Sequence, residues 1–88
     1  MRSIFTTSRF ERRLKIFTLR HPELISKIKQ IMKLVASNYK HPSLKTHKLN
    51  GILKDCYGSS ISYEYRILFV TEKDSICFVD IGDHNTVY

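Results

Sequence analysis

The sequence is short of most of what specialised small proteins depend on. It has only 2 cysteines, Cys56 and Cys77, far apart and in no Cys-x-x-Cys pattern. Disulfide scaffolds, structural zinc sites and dithiol redox centres all need more thiols or closer ones. With 3 glycines and 2 prolines the chain is neither collagen-like nor a low-complexity linker. No apolar run approaches the length needed to cross a bilayer, and RSIFTTSRF after Met1 lacks the apolar stretch of a signal peptide. A reducing, cytoplasmic setting with free, buried thiols is therefore expected, and no membrane partner. A Gly-rich phosphate loop, a Gly-x-Ser-x-Gly elbow and a Cys-His pairing are missing as well. The spacings of His21, His41, His47 and His84 match no compact metal motif, so neither a metal nor a small-molecule cofactor is expected.

Acidic residues are scarce too: 8 Asp and Glu stand against 15 Lys and Arg, a formal charge of +7 on 88 residues. A field of that sign attracts polyanions, nucleic acid before an acidic protein and an acidic protein before a membrane surface, although a basic surplus also serves solubility. What is present is a folding composition, 42% hydrophobic. Residues 1–88 are read as a single domain with one core, hiding about 60% of its unfolded surface.

Periodicity gives the elements. Arg2 to Thr6 reads as a short strand. Ser8 and Glu11 have the S-x-x-E spacing of a capping box, and Phe10, Leu14 and Phe17 then form an apolar stripe on a helix that ends near Arg20, because Pro22 disfavours helical geometry at His21. Pro22 and Glu23 suit the start of a second helix. Its apolar face is Leu24, Ile28, Ile31 and Val35, joined by Ile25 and Met32; its wet face is Lys27, Lys29 and Lys33; it runs to about Asn38. After a loop from Tyr39 to Gly51 come three β-rich runs, Ile52–Ile61, Tyr63–Thr71 and Ser75–Gly82, the last two joined by the hairpin turn Glu72-Lys73-Asp74. The order β-α-α-β-β-β implies an α+β fold, a helical hairpin packed on one face of a small curved, largely antiparallel sheet. The other face is left open for a site.

Three stretches carry candidate chemistry. In YEYRILFV, alternation puts Tyr65, Ile67 and Phe69 on one face and Arg66 and Leu68 on the other. A guanidinium in mid-strand needs an anion, either a ligand or a neighbour such as Glu64 or Asp80, unless it reaches water. In IGDHNTVY, the nearby Asp80 and Asp83 favour the imidazolium form of His84, which suits a general acid, though a solvated turn histidine would look the same. In LKTHKLNG, His47 and Lys48, with Lys45 before them and Lys54 after, make either a basic loop that grips phosphates or an ordinary connector.

Taken with the order of elements, THKLNG, YEYRILFV and IGDHNTVY resemble the RelE/ParE superfamily of bacterial toxin-antitoxin toxins, nearest to its YafQ-like branch. The resemblance spans nearly the whole chain, with the motifs in its last half. It implies a metal-independent endoribonuclease, an mRNA interferase that cuts ribosome-bound mRNA through attack of the RNA's own 2′-OH and is neutralised by a cognate antitoxin. It places His47, His84 and Glu64 at acid-base positions and Tyr88 at a terminal aromatic that stacks on a base. Arg66 falls at the arginine that stabilises the transition state in RelE proper, and Lys45, Lys48 and Lys54 are expected on RNA phosphates. Ser60 and Asp80 depart from the pattern, standing where YafQ-like toxins often have histidine and arginine. ParE-like relatives inhibit DNA gyrase instead, and a catalytically inactive relative would bind only its antitoxin or RNA.

Overall fold

The computed structural model describes residues 1–49 and 56–83. Its elements are β1 (Ser3–Thr6), α1 (Ser8–Arg20), a 3-10 turn at Pro22–Leu24, α2 (Ile25–Asn38), a 3-10 turn at Pro42–Leu44, β2 (His47–Lys48), β3 (Tyr57–Ser60), β4 (Tyr65–Thr71) and β5 (Ser75–Asp83). The five strands form one mixed sheet in the order β1-β5-β4-β3-β2, with β1 parallel to β5 and the other pairs antiparallel. Both helices pack on one face, giving the expected α+β architecture with a further strand, β2, at the sheet edge.

Local chemistry accounts for the boundaries. The cap of α1 is Thr7, not Ser8: the Phe10 N–H donates to Thr7 Oγ1 at 3.0 Å, and the Glu11 N–H donates to the Thr7 carbonyl at 3.0 Å. The hydroxyl thus satisfies one of the donors that a helix start leaves unpaired, one residue earlier than the S-x-x-E spacing predicts. Thr7→Ala is expected to lower stability by about 1 kcal/mol. Urea denaturation with an unchanged midpoint would assign the helix start to other contacts. At the far end of α1 the His21 N–H closes on the Phe17 carbonyl at 2.9 Å, and Pro22, which has no N–H to satisfy, opens the tight turn that leads into α2. The second helix therefore begins at Ile25, three residues after the expected start.

The apolar stripes meet in one core: Phe10 and Phe17 of α1, Ile28, Ile31 and Val35 of α2, and Ile67, Phe69, Ile76, Phe78 and Ile81 of the sheet, closed by Leu44 and Ile61. A register shift between Leu68 and Phe69 puts Phe69 opposite Phe78 but Leu68 opposite Asp80. The extra residue in β5 lets Phe78 and Ile81, three apart, both enter the core, which strict alternation would forbid.

Three expectations are corrected. The strand expected over Ile52–Ile61 is Tyr57–Ser60 within the described residues, since Ile61–Glu64 form the turn into β4. The face away from the helices is not wholly open: Leu49, just after β2, folds back with its N–H on the Cys56 carbonyl at 2.9 Å and buries itself with Leu68 against Cys56 and Val79. Cys56, just before β3, and Cys77, within β5, are half-buried, not buried.

Candidate functional site

Strand pairing brings the candidates together. Directly paired residues share a face of the sheet, so the pairing Ser60–Arg66–Gly82 across β3, β4 and β5 sets these three on the face away from the helices. The neighbouring row on that face runs His47–Gly58–Leu68 across β2, β3 and β4. Gly58 is directly opposite His47, and Arg66 lies between Ser60 on β3 and Gly82 on β5, so only a glycine stands beside His47 and only the small Ser60 side chain and a glycine beside Arg66. Two strand spacings across and two residues along put the Cα atoms of His47 and Arg66 about 12 Å apart.

Arg66 is held in place. Its Nη1 donates to the carbonyl oxygens of Ser62 at 2.7 Å, Tyr63 at 3.0 Å and Tyr65 at 3.1 Å, which ties its guanidinium to the β3–β4 turn. Nε and Nη2 take no part in these bonds. Neither Glu64 nor Asp80 is its partner: Glu64 is exposed on the same turn, and Asp80 is engaged elsewhere. His47 is exposed on β2, with Nδ1 3.4 Å from the Lys45 carbonyl oxygen. Lys45 itself is left-handed (φ 49, ψ 41), and its N–H closes on the Pro42 carbonyl at 3.2 Å, so the chain turns sharply from the 3-10 turn into β2. The fully buried Ser59 hydroxyl then meets Thr46 Oγ1 at 2.5 Å, which satisfies it and fixes how β2 approaches β3. Alternation separates the basic residues of this segment. Lys48 pairs with Tyr57 and faces away from His47, beside Thr71 and Glu72, whereas Lys45 lines a cavity with Arg66.

That cavity, about 550 Å³, lies between α2 and the β3–β4 turn, where Lys27, Lys45 and Arg66 meet. A second, of about 390 Å³, lies between the last turns of α1 and the ends of β4 and β5, lined by Arg13, Arg20, His21, Tyr65 and Asp83 among others. The sequence had marked Lys27 only as part of a wet face, because nothing local shows that α2 faces the turn carrying Arg66.

Asp80 has a structural place. Its carboxylate pairs with Arg13 Nε, reaches Arg9 Nη2 at 3.4 Å and accepts the Ile81 N–H at 2.9 Å, with its side chain only 13% exposed. Arg13 Nε also contacts the Ile81 carbonyl at 3.3 Å, so this cluster clamps α1 to β5. The i, i+4 spacing of Arg9 and Arg13 was the available signal for a shared anionic partner. Asp80→Arg, which installs the arginine common among YafQ-like toxins, is expected to destabilise the protein on the order of 2 kcal/mol, because it removes charge-assisted hydrogen bonds and gathers three guanidinium groups. A thermal midpoint equal to or above that of the parent chain would contradict the clamp.

His84, Tyr88 and Lys54 lie outside the described residues. Among the described residues, no group of three or more His, Cys, Asp and Glu is arranged to hold a metal ion, and no helix is long and apolar enough to cross a membrane.

Comparison with known proteins agrees on one group. The family model described as a bacterial toxin of type II toxin-antitoxin systems, YafQ, matches residues 2–88. No curated protein sequence matches significantly. Among solved structures, the crystal structure of YafQ from E. coli strain BL21(DE3) superposes with a TM-score of 0.86 at 19% identity, covering 100% of this chain and 99% of that one. YafQ in the E. coli DinJ-YafQ complex gives 0.84 at 20% identity, with coverage of 100% and 99%. The YoeB-YefM complex from Staphylococcus aureus gives 0.78 at 20% identity, with coverage of 96% and 98%. At these identities the superpositions show a shared fold.

Proposed function

The chain belongs to the YafQ family of bacterial toxins of type II toxin-antitoxin systems, and from that premise we propose that it is a metal-independent endoribonuclease that cuts ribosome-bound mRNA and so halts translation. The observation that carries this reading is a pair of neighbouring rows on the face away from the helices: an arginine fixed by three backbone carbonyls in one, a histidine two strands away in the other, with a glycine directly opposite each.

In the proposed reaction the 2′-oxygen of the RNA attacks the adjacent phosphorus. A 2′-O–P bond forms and the P–5′-O bond breaks, leaving a 2′,3′-cyclic phosphate and a 5′-hydroxyl. A base takes the 2′-hydroxyl proton. Of the two candidates, His47 shares the face of Arg66, while Glu64 stands on the turn that Arg66 ties down. The phosphorane carries extra negative charge, which the Nε and Nη2 donors of Arg66 meet from a fixed position; a preoriented cation contributes most where water is excluded. His84 returns a proton to the departing 5′-oxygen, and Tyr88 stacks on a base. Lys45, Lys48 and Lys54 hold the RNA chain by its phosphates, Lys48 from the other side of the strand.

Antitoxin control follows from the family. YafQ and YoeB have been solved with DinJ and YefM respectively, and this chain is proposed to have a cognate antitoxin protein of its own. The rival activity, inhibition of DNA gyrase, is separated by inducing the protein in growing cells and following mRNA integrity beside plasmid supercoiling. The nuclease reading expects cut mRNA with normal supercoiling. Intact mRNA with altered supercoiling would replace it with the gyrase reading.

A further inference from the structure

We infer that the cavity between α2 and the β3–β4 turn is a subsite for one nucleotide of single-stranded RNA, with its phosphate on Lys27, Lys45 and Arg66 and its base on the ring of Tyr63; the substrate class rests on the nuclease reading above. The cavity, about 550 Å³, is within the roughly 300–1,000 Å³ usual for small-ligand sites. Its cations come from three separate elements: Lys27 from α2, Lys45 from the left-handed turn before β2, and Arg66 from β4. Among the described residues no carboxylate lines it, and the ion pairs involve Arg9, Arg13 and His21 but none of these three. Three unneutralised cations converging on a concave surface call for an anion.

The rest of the cavity favours a nucleotide over a carboxylate-rich peptide. Tyr63, at its lip, is 94% exposed. A large ring left in water at a turn adds nothing to the core, yet it offers a face for a base to stack on. The floor is apolar, with Ile31 and Leu34, and the Gln30 amide and Ser62 hydroxyl supply donors and acceptors beside it. An acidic peptide would use the cations and leave the ring and floor without a role. Since Arg66 belongs both to this cavity and to the row facing away from the helices, the subsite adjoins the phosphate that the nuclease reading assigns to Arg66.

The test uses the intact protein and a 5′-fluorescein-labelled heptaribonucleotide methylated at every 2′-oxygen, so that it cannot be cut, with binding read by fluorescence anisotropy across a salt series. Tyr63→Ala is expected to weaken binding at least about five-fold, the lower end of base stacking on an aromatic, with the salt slope unchanged. Tyr63→Phe keeps the ring and binds like the parent. Lys27→Ala is expected to make the log–log salt slope shallower by about 0.7, one phosphate contact on a single strand, while Lys29→Ala, on the same helix but outside the cavity, leaves it unchanged. An unlabelled mononucleotide should compete far more weakly than the unlabelled heptamer. Tyr63 and Lys27 are both exposed, so the fold is not at risk. The subsite is overturned if Tyr63→Ala binds like the parent, if Lys29→Ala flattens the slope as much as Lys27→Ala, or if heptaglutamate or the mononucleotide displaces the probe as well as the heptamer does. Because the probe has no free 2′-hydroxyl, these results stand whether or not the protein cuts mRNA.

Discussion

Replacing His84 with alanine is expected to slow mRNA cleavage by about 10²–10⁴-fold, the usual contribution of a positioned proton donor or acceptor. The departing 5′-oxygen is a poor leaving group as an alkoxide. In the proposed metal-independent reaction it must be given a proton, and in the sequence His84 follows directly on Asp83, the last residue of β5, the strand that places Gly82 opposite Arg66. A role as acid can be told from a role in binding. RNA carrying sulfur in place of the bridging 5′-oxygen leaves as a thiolate and needs no acid, so the His84→Ala variant should cut it at close to the parental rate. If the variant lags equally on both substrates, the proton comes from another group and His84 serves only to position the RNA.

The second large effect concerns the fold. Phe78→Ala is expected to cost about 3–5 kcal/mol, the range for emptying an aromatic site in a packed core. Phe78 is fully buried in β5 with its ring 5.6 Å from Phe10 and 6.0 Å from Phe69, and it pairs with Thr6 of β1 on one side and Phe69 of β4 on the other. One ring thus joins α1 to the middle of the sheet. A chain of this size has a total stability of roughly 4–13 kcal/mol, so the loss should lower the thermal midpoint by at least about 12 °C or leave no folded state. The contrast is Phe5→Ala, at an exposed ring on β1, expected within about 0.5 kcal/mol of the parent. Circular-dichroism melts of both variants measure the difference; similar midpoints would mean that the core is not organised around Phe78.

What could be read from the sequence was whatever depends on neighbours along the chain. Phe10, Phe17, Ile28, Ile31 and Val35 were marked by helical spacing alone and are all buried. The ends of both helices were fixed by His21-Pro22 and Asn38, and the two faces of β4 by simple alternation. What could not be read depends on partners distant in sequence. The strand β2 pairs His47 and Lys48 with Gly58 and Tyr57 of β3, beside the contact of Thr46 with the buried Ser59, and no local pattern announces either. The register shift in β5 resets which residues face the core, and Asp80 owes its place to Arg9 and Arg13 on the first helix. A two-residue strand and a one-residue slip have no periodicity to detect.

The candidate site divides in the same way. His47, Glu64 and Arg66 were picked out by residue type and motif, but only pairing through Gly58 and Ser60 puts His47 and Arg66 on one face and Lys48 on the other. The serine at 60 and the aspartate at 80 look alike as departures from the pattern of YafQ-like toxins, yet their settings differ. Asp80 is committed to holding α1 on β5, whereas Ser60 lies in the row beside Arg66 and lines its cavity. Replacing a family arginine by Asp80 moves a charge out of the site and into the scaffold.

The most direct test of the nuclease reading is to add the purified protein to a translating ribosome extract, beside the His84→Ala variant, and map mRNA 5′ ends by primer extension without added metal beyond what the ribosomes need. Discrete new 5′ ends that need ongoing translation, end in 5′-hydroxyls and vanish with the variant are the predicted result. Intact mRNA in the presence of folded protein, or cuts that persist undiminished in the variant, would contradict it.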